Sequence, residues 1–159
     1  MYWWRLVRVL PMLLVAAGVS IHGAAQAKPT GGLDPDETAM RDYMLTVDKA
    51  QRYMDVARKM EGAGQQDPAL AAEMKRVQDT DVYNVEKAGL VEKSPHLAAF
   101  FKTVNFSPRD FVLVPLAIGT AAAAASMPDN GGPAFAYVNR ANIQFVKDHK
   151  DDLKKWGFQ

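Results

Sequence analysis

The chain contains no cysteine among its 159 residues. That excludes disulfides, thiol catalysis, thiolate metal sites, c-type haem attachment and a lipidated N-terminal cysteine. Histidine is scarce: three in all, of which only His96 and His149 lie beyond residue 27. Serine is nearly as rare there, limited to Ser94, Ser107 and Ser126. No G-x-S-x-G elbow, phosphate loop or dinucleotide fingerprint occurs, so nucleophilic and nucleotide chemistry lack their usual carriers. Strand-like alternation is confined to the short stretch AFAYV near Ala134.

A large charge of either sign is also missing. The N-terminus reads MYWWRLVRVLPMLLVAAGVSIHGAAQAKP: Arg5 and Arg8, an uncharged apolar run from Val9 to Ile21, then small residues ending in Ala25-Gln26-Ala27. This layout is that of a secretory signal peptide over 1–27, with cleavage between Ala27 and Lys28. Its removal takes both arginines and no acid, moving the formal charge from +1 to −1. A near-neutral chain has no electrostatic reason to bind nucleic acid or anionic lipid. The expected location is periplasmic or secreted, with residues 28–33 as a flexible segment and 34–159 as one helical domain.

What the chain does have is repeated punctuation. Asp34-Pro35, Asp67-Pro68, Ser94-Pro95 and Ser107-Pro108 each place a side-chain oxygen before a proline. An N-cap oxygen accepts from an orphaned helical N–H, and proline at the next position has no N–H to lose. Glu37, three residues after Asp34, completes a capping box. Asn139 is a fifth candidate start. EGAGQQ from Glu61, VNF from Val104 and PDNGGP from Pro128 read as stops. The spacing predicts helices over about 35–61, 68–79, 82–93, 95–104, 108–127 and 139–156. The expected class is all-α, an irregular bundle of about five to six helices.

Two of those helices shape the functional reading. In the first, Met40, Met44, Val47, Met54 and Ala57 form an apolar stripe flanked by Tyr43, Ala50 and Tyr53. The fifth, starting SPRDFVLVPLAIGTAAAAASMP at Ser107, carries no charge between Asp110 and Asp129. Apolar all round despite Pro115, it is expected to be the buried central helix rather than a membrane span.

Candidate site residues are few. Arg109 sits in the first turn of the central helix, where it opposes the dipole and suits a ligand carboxylate. His149 shares a stripe with Val146, Leu153 and Trp156 in the last helix. With Tyr43, Met44 and Phe111 they outline a ligand site between the central helix and the first and last helices. His96 reads as an exposed helix-start residue. The methionines read as core, not copper ligands, and no metal site or cofactor is expected.

The stretches SPHLAAFFKTVNFSPRDFVL and NIQFVKDHKDDL resemble an uncharacterised family of small signal-peptide-bearing helical proteins of proteobacteria. The likeness covers Asp42 to Leu153, with Ser107, Pro108, Arg109, Asp110, Phe111, Phe145 and His149 as matching positions. It implies an exported helical protein and brings no activity with it. The leading functional expectation is binding of a small apolar or amphipathic ligand without catalysis. The alternatives are a structural or protein-interaction module of the cell envelope, with Trp156 and Phe158 as contacts, and, behind it, a metal or haem binder through His149.

Overall fold

A computed structural model of the chain describes residues 32–158, the side chains of Pro133 and Ala134 excepted. The signal-peptide reading and most of the 28–33 segment lie outside the described residues. Eight α-helices and no strand occur among the described residues: α1 Pro35–Asp42, α2 Val47–Gln66, α3 Pro68–Asp79, α4 Asn84–Glu92, α5 Pro95–Val104, α6 Pro108–Ala125, α7 Arg140–Asp148 and α8 Lys150–Trp156. A 3-10 segment, Pro128–Phe135, joins α6 to the last pair. It overlaps AFAYV, which forms no strand.

Local chemistry sets five of the helix starts, among them α2, where Thr46 accepts from the Lys49 N–H at 3.2 Å. Asp34 accepts from the Glu37 N–H at 2.8 Å while Glu37 accepts from the Asp34 N–H at 3.1 Å, a complete capping box. Asp67 accepts from Ala69 and Leu70, Ser107 from Asp110, and Asn139 from Ala141. Ser94 departs from the expectation. Its hydroxyl donates to the Leu90 carbonyl at 2.8 Å and accepts from Arg76 at 3.0 Å. The Leu97 N–H of α5 goes instead to Glu73 of α3, 3.0 Å away. The start of α4 is likewise capped from elsewhere: Asp36 of α1 accepts from the Asn84 and Val85 N–H groups at 2.9 and 2.7 Å.

The predicted helix over 35–61 is two helices. Residues 43–46 are non-helical, with Tyr43 at ψ 134° and Thr46 at φ −138°, ψ 159°. Asn142 of α7, only 2% exposed, holds this link open. Its side-chain oxygen accepts from the Leu45 N–H at 2.8 Å and its amide donates to the Tyr43 carbonyl at 2.9 Å. A carboxamide offers the same donor and acceptor as a peptide group, so it pairs with extended backbone as a neighbouring strand would. Asn139 adds bonds to the Arg41 and Tyr43 carbonyls, both 3.2 Å.

The break resets the helical phase. Met44 and Val47, placed in the stripe by sequence, are 58% and 37% exposed. The buried face of α2 is Ala50, Tyr53, Val56 and Met60, while Met54 and Ala57 sit at its margin. Nor do the glycines of EGAGQQ end that helix, which runs to Gln66. At the other end, His149 (φ −109°, ψ 20°) interrupts the predicted 139–156 helix. The offset is mild, because Phe145 still accepts from the His149 N–H and His149 from that of Leu153.

The helix α6, uncharged beyond Asp110, packs against α1, α2, α4, α7 and the 3-10 segment. It continues through Pro115 and buries Leu113, Val114, Ala117, Ile118, Ala121 and Ala124. The expectation of all-round burial is corrected, because only this stripe is fully buried, with Phe111, Leu116 and Ala125 packed partly against the core. The opposite side carries Val112, Pro115, Leu116, Gly119, Ala122 and Ala123, none of them buried. It is the one helix among the described residues long and apolar enough to cross a membrane, and a third of it, 33%, is buried inside the domain. Next to it, Tyr53, Phe101 and Phe111 form an aromatic chain, with Tyr53–Phe111 at 5.1 Å and Phe101–Phe111 at 5.2 Å between ring centres.

Candidate functional site

The non-helical link 43–46 delivers Tyr43 to the first turn of α6. The phenol donates to Asp110 at 2.6 Å. Lys49, in the first turn of α2, approaches the same carboxylate oxygen at 3.5 Å and lies 4.3 Å from the centre of the Tyr43 ring. Its ammonium also donates to the Met44 carbonyl at 3.1 Å. Asp110 is thus a shared acceptor for a phenol and an ammonium.

Burial pushes the Tyr43 phenol well above its ordinary pKa, and the hydrogen bond and charge of Asp110 add to that; Arg109 opposes it. Burial also works to raise Asp110, but the Tyr43 hydroxyl, the Lys49 charge and Ser107 outweigh it and hold the carboxyl below its usual value. At neutral pH the phenol is therefore a fixed donor and the carboxylate a fixed acceptor. Neither is poised to exchange a proton near neutrality, as general acid–base chemistry requires. Arg109 itself is exposed and makes no hydrogen bond or ion pair among the described residues.

The five candidate residues do not surround one cavity. Tyr43 and Arg109 are neighbours, whereas the Met44 side chain points largely to water. Phe111 is committed to packing on Tyr53 and Phe101. His149 belongs to a separate cluster, its ring 4.7 Å from Phe145 and 6.3 Å from Trp156, with Nδ1 3.6 Å from Asp152. Tyr53 also stacks on Phe158 at 5.7 Å, so rings occupy the space between α6, α2 and the C-terminal end. Burial pushes the Tyr53 phenol up to about 12. His96 is exposed and bonded to Asp67 at 3.0 Å. No group of three histidine, aspartate or glutamate side chains among the described residues is arranged to hold a metal ion.

Two surface depressions lie elsewhere. The larger, about 670 Å³, separates the 3-10 segment from α7 and is lined by Asn130, Phe135, Arg140, Ile143, Gln144 and Lys147 among others. The smaller, about 230 Å³, lies between α2 and Trp156. Sequence reasoning missed the first because its two walls are charged and polar residues that look like ordinary surface. It missed Asn142 too, although a signal existed: a polar residue beside Ile143 and four before Val146, on an otherwise apolar stripe.

No protein-family model matches the chain, and neither a curated protein nor a solved structure shows significant similarity to it.

Proposed function

We propose that the protein is an exported, non-catalytic structural module of the cell envelope that works by self-association through the outer face of α6. The observation that carries this reading is an uncharged stripe in which Gly119 and Ala122 are exposed and Val112, Pro115, Leu116 and Ala123 half-buried, Leu116 packing partly against the core. Residues turn by about 100° each along a helix, which gathers these six on the side opposite the buried stripe. A surface helix normally gives that side to charged residues, and contiguous apolar surface marks interaction.

A second copy of the chain fits the ends of this stripe. Arg109, without a partner, stands at the N-terminal end; the C-terminal end carries the negative pole of the helix dipole, with Asp129 just beyond. Two α6 helices packed antiparallel bring each Arg109 to the opposite pole of its neighbour, and small residues at the centre let the backbones approach. The stripe from Val112 to Ala123 is only about 16 Å long. Contact of that length falls below a standard interface, so association at tens to hundreds of micromolar is expected, roughly. Export rests on the 1–27 signature. A small ligand held by Tyr43, Met44, Arg109, Phe111 and His149 has less support, since the rings of Tyr53, Phe111 and Phe158 take up the space between them.

Sedimentation velocity of residues 28–159 tests the reading. Gly119 has no neighbouring atom within 4 Å of where a side chain would begin, so Gly119→Arg leaves the fold intact. Concentration-dependent dimerisation of the wild type, abolished by Gly119→Arg with unchanged circular dichroism, is the expected result. A wild type that stays monomeric at millimolar concentration overturns it.

A further inference from the structure

The larger depression has a different chemistry from α6. We infer that the groove between the 3-10 segment and α7 binds a small amphipathic monoanion, a carboxylate carried on a short apolar body. Its volume, about 670 Å³, falls within the range of small-molecule sites. Its floor is apolar, formed by the Phe135 ring with Val138 and Ile143, both of them buried. One wall is a single face of α7, where Arg140, Gln144 and Lys147 follow at four- and three-residue spacing.

The opposite wall is built by an unusual loop. Asp129, Asn130, Gly131 and Gly132 all have positive φ, between 50° and 79°. A side chain at Gly131 would collide with the Phe135 ring, so glycine there is what lets the ring lie across the loop. Lys147 ties loop to helix by donating to the Asn130 side-chain oxygen at 2.7 Å. Arg140 makes no hydrogen bond or ion pair among the described residues, leaving its five donors for a ligand.

Charge selects the ligand class. Arg140, Lys147 and Asp129 line the groove, and Asp148 accepts from Gln144 on the same wall at 2.7 Å; of the two lining cations, Lys147 is engaged by Asn130 and Arg140 is left to hold an anion. A carboxylate can take the fork of Arg140 and the remaining N–H of the Gln144 amide, which also donates to Asp148 at 2.7 Å, while the apolar body covers Phe135 and Ile143. A dianion such as inorganic phosphate meets Asp129 and gains nothing from the floor.

The test is an amide-resolved NMR titration of residues 28–159 with octanoate, octanol and inorganic phosphate. Octanoate is expected to shift the amides of Gly131, Gly132, Phe135 and Gln144 saturably, with octanol at least tenfold weaker and phosphate silent. Arg140→Gln, at an exposed residue that holds nothing, is expected to weaken octanoate at least tenfold with all other amides in place. Gln144→Glu, adding an anion to the same wall, is expected to weaken it as well. Octanoate shifts confined to α6, equal binding by Arg140→Gln, or phosphate binding as strong as octanoate would each overturn the assignment.

Discussion

Replacing Asn142 by alanine is the sharpest probe of how the fold is assembled. The side chain is almost wholly buried, and both of its hydrogen bonds go to the backbone of residues 43 and 45. The Tyr43 carbonyl retains a bond from Asn139, but the Leu45 N–H loses the one partner the structure gives it. A hydrogen bond contributes about 1 kcal/mol net, and a buried donor left unsatisfied costs about 1–3 kcal/mol more. The sum is a loss of about 2–4 kcal/mol, or a fall in Tm of roughly 10 °C for a domain of this size. Urea unfolding should therefore show a lower midpoint with an unchanged slope. Hydrogen exchange at the Leu45 amide should accelerate more than at any amide of α3. A loss under about 1 kcal/mol, or a Leu45 amide as protected as before, would refute the idea that Asn142 holds the link open.

Further outcomes follow from the same geometry. Asp110 has a folded pKa below its unfolded value, so its stabilisation is complete above about pH 4 and disappears as pH falls through the folded value. Tyr43→Phe should flatten that acid limb in a pH series of urea midpoints. The Tyr43 phenol is shifted the other way, so its stabilisation holds below about pH 10 and is lost above it; Tyr43→Phe should raise alkaline stability relative to wild type. Gly119→Ala should stabilise by about 0.5–1 kcal/mol, because it sits mid-helix with open space around it. Gly131→Ala should destabilise instead, and thermal melts of the two variants should move in opposite directions. Asp36→Ala should cost about 1–2 kcal/mol and expose the Asn84 and Val85 amides to exchange, with α1 left intact.

The caps that were legible in the sequence, Asp34, Asp67, Ser107 and Asn139, all have partners within three residues; the Thr46 cap is as local and was missed with the link that carries it. Local chemistry writes local signals. Ser94 looked identical to them, yet Glu73 took its role from a different helix, and Asp36 caps α4 from 48 residues away. The break at 43–46 was illegible for the same reason. Helical spacing continues across it, and only Asn142, 97 residues from Leu45, opens it. One missed link placed the inferred core face on Met44 and Val47, where the structure buries Ala50 and Val56 instead. For α6, alanine and glycine read as apolar everywhere, so composition could not separate the packed stripe from the bare one. Of the candidate site residues, Tyr43 and Arg109 lie near each other at the start of α6, whereas Phe111 and His149 serve separate aromatic clusters.

The absence of cysteine makes the most direct measurement simple. A single cysteine at Gly119, on the bare face of α6, can be compared with one at Gly62 on α2; neither position has an atom within 4 Å of the new side chain. Mild oxidation at a few hundred micromolar, roughly the concentration at which association is expected, should give a covalent dimer from Gly119→Cys and none from Gly62→Cys. Equal dimer from both positions, or none from Gly119→Cys, would contradict self-association through α6.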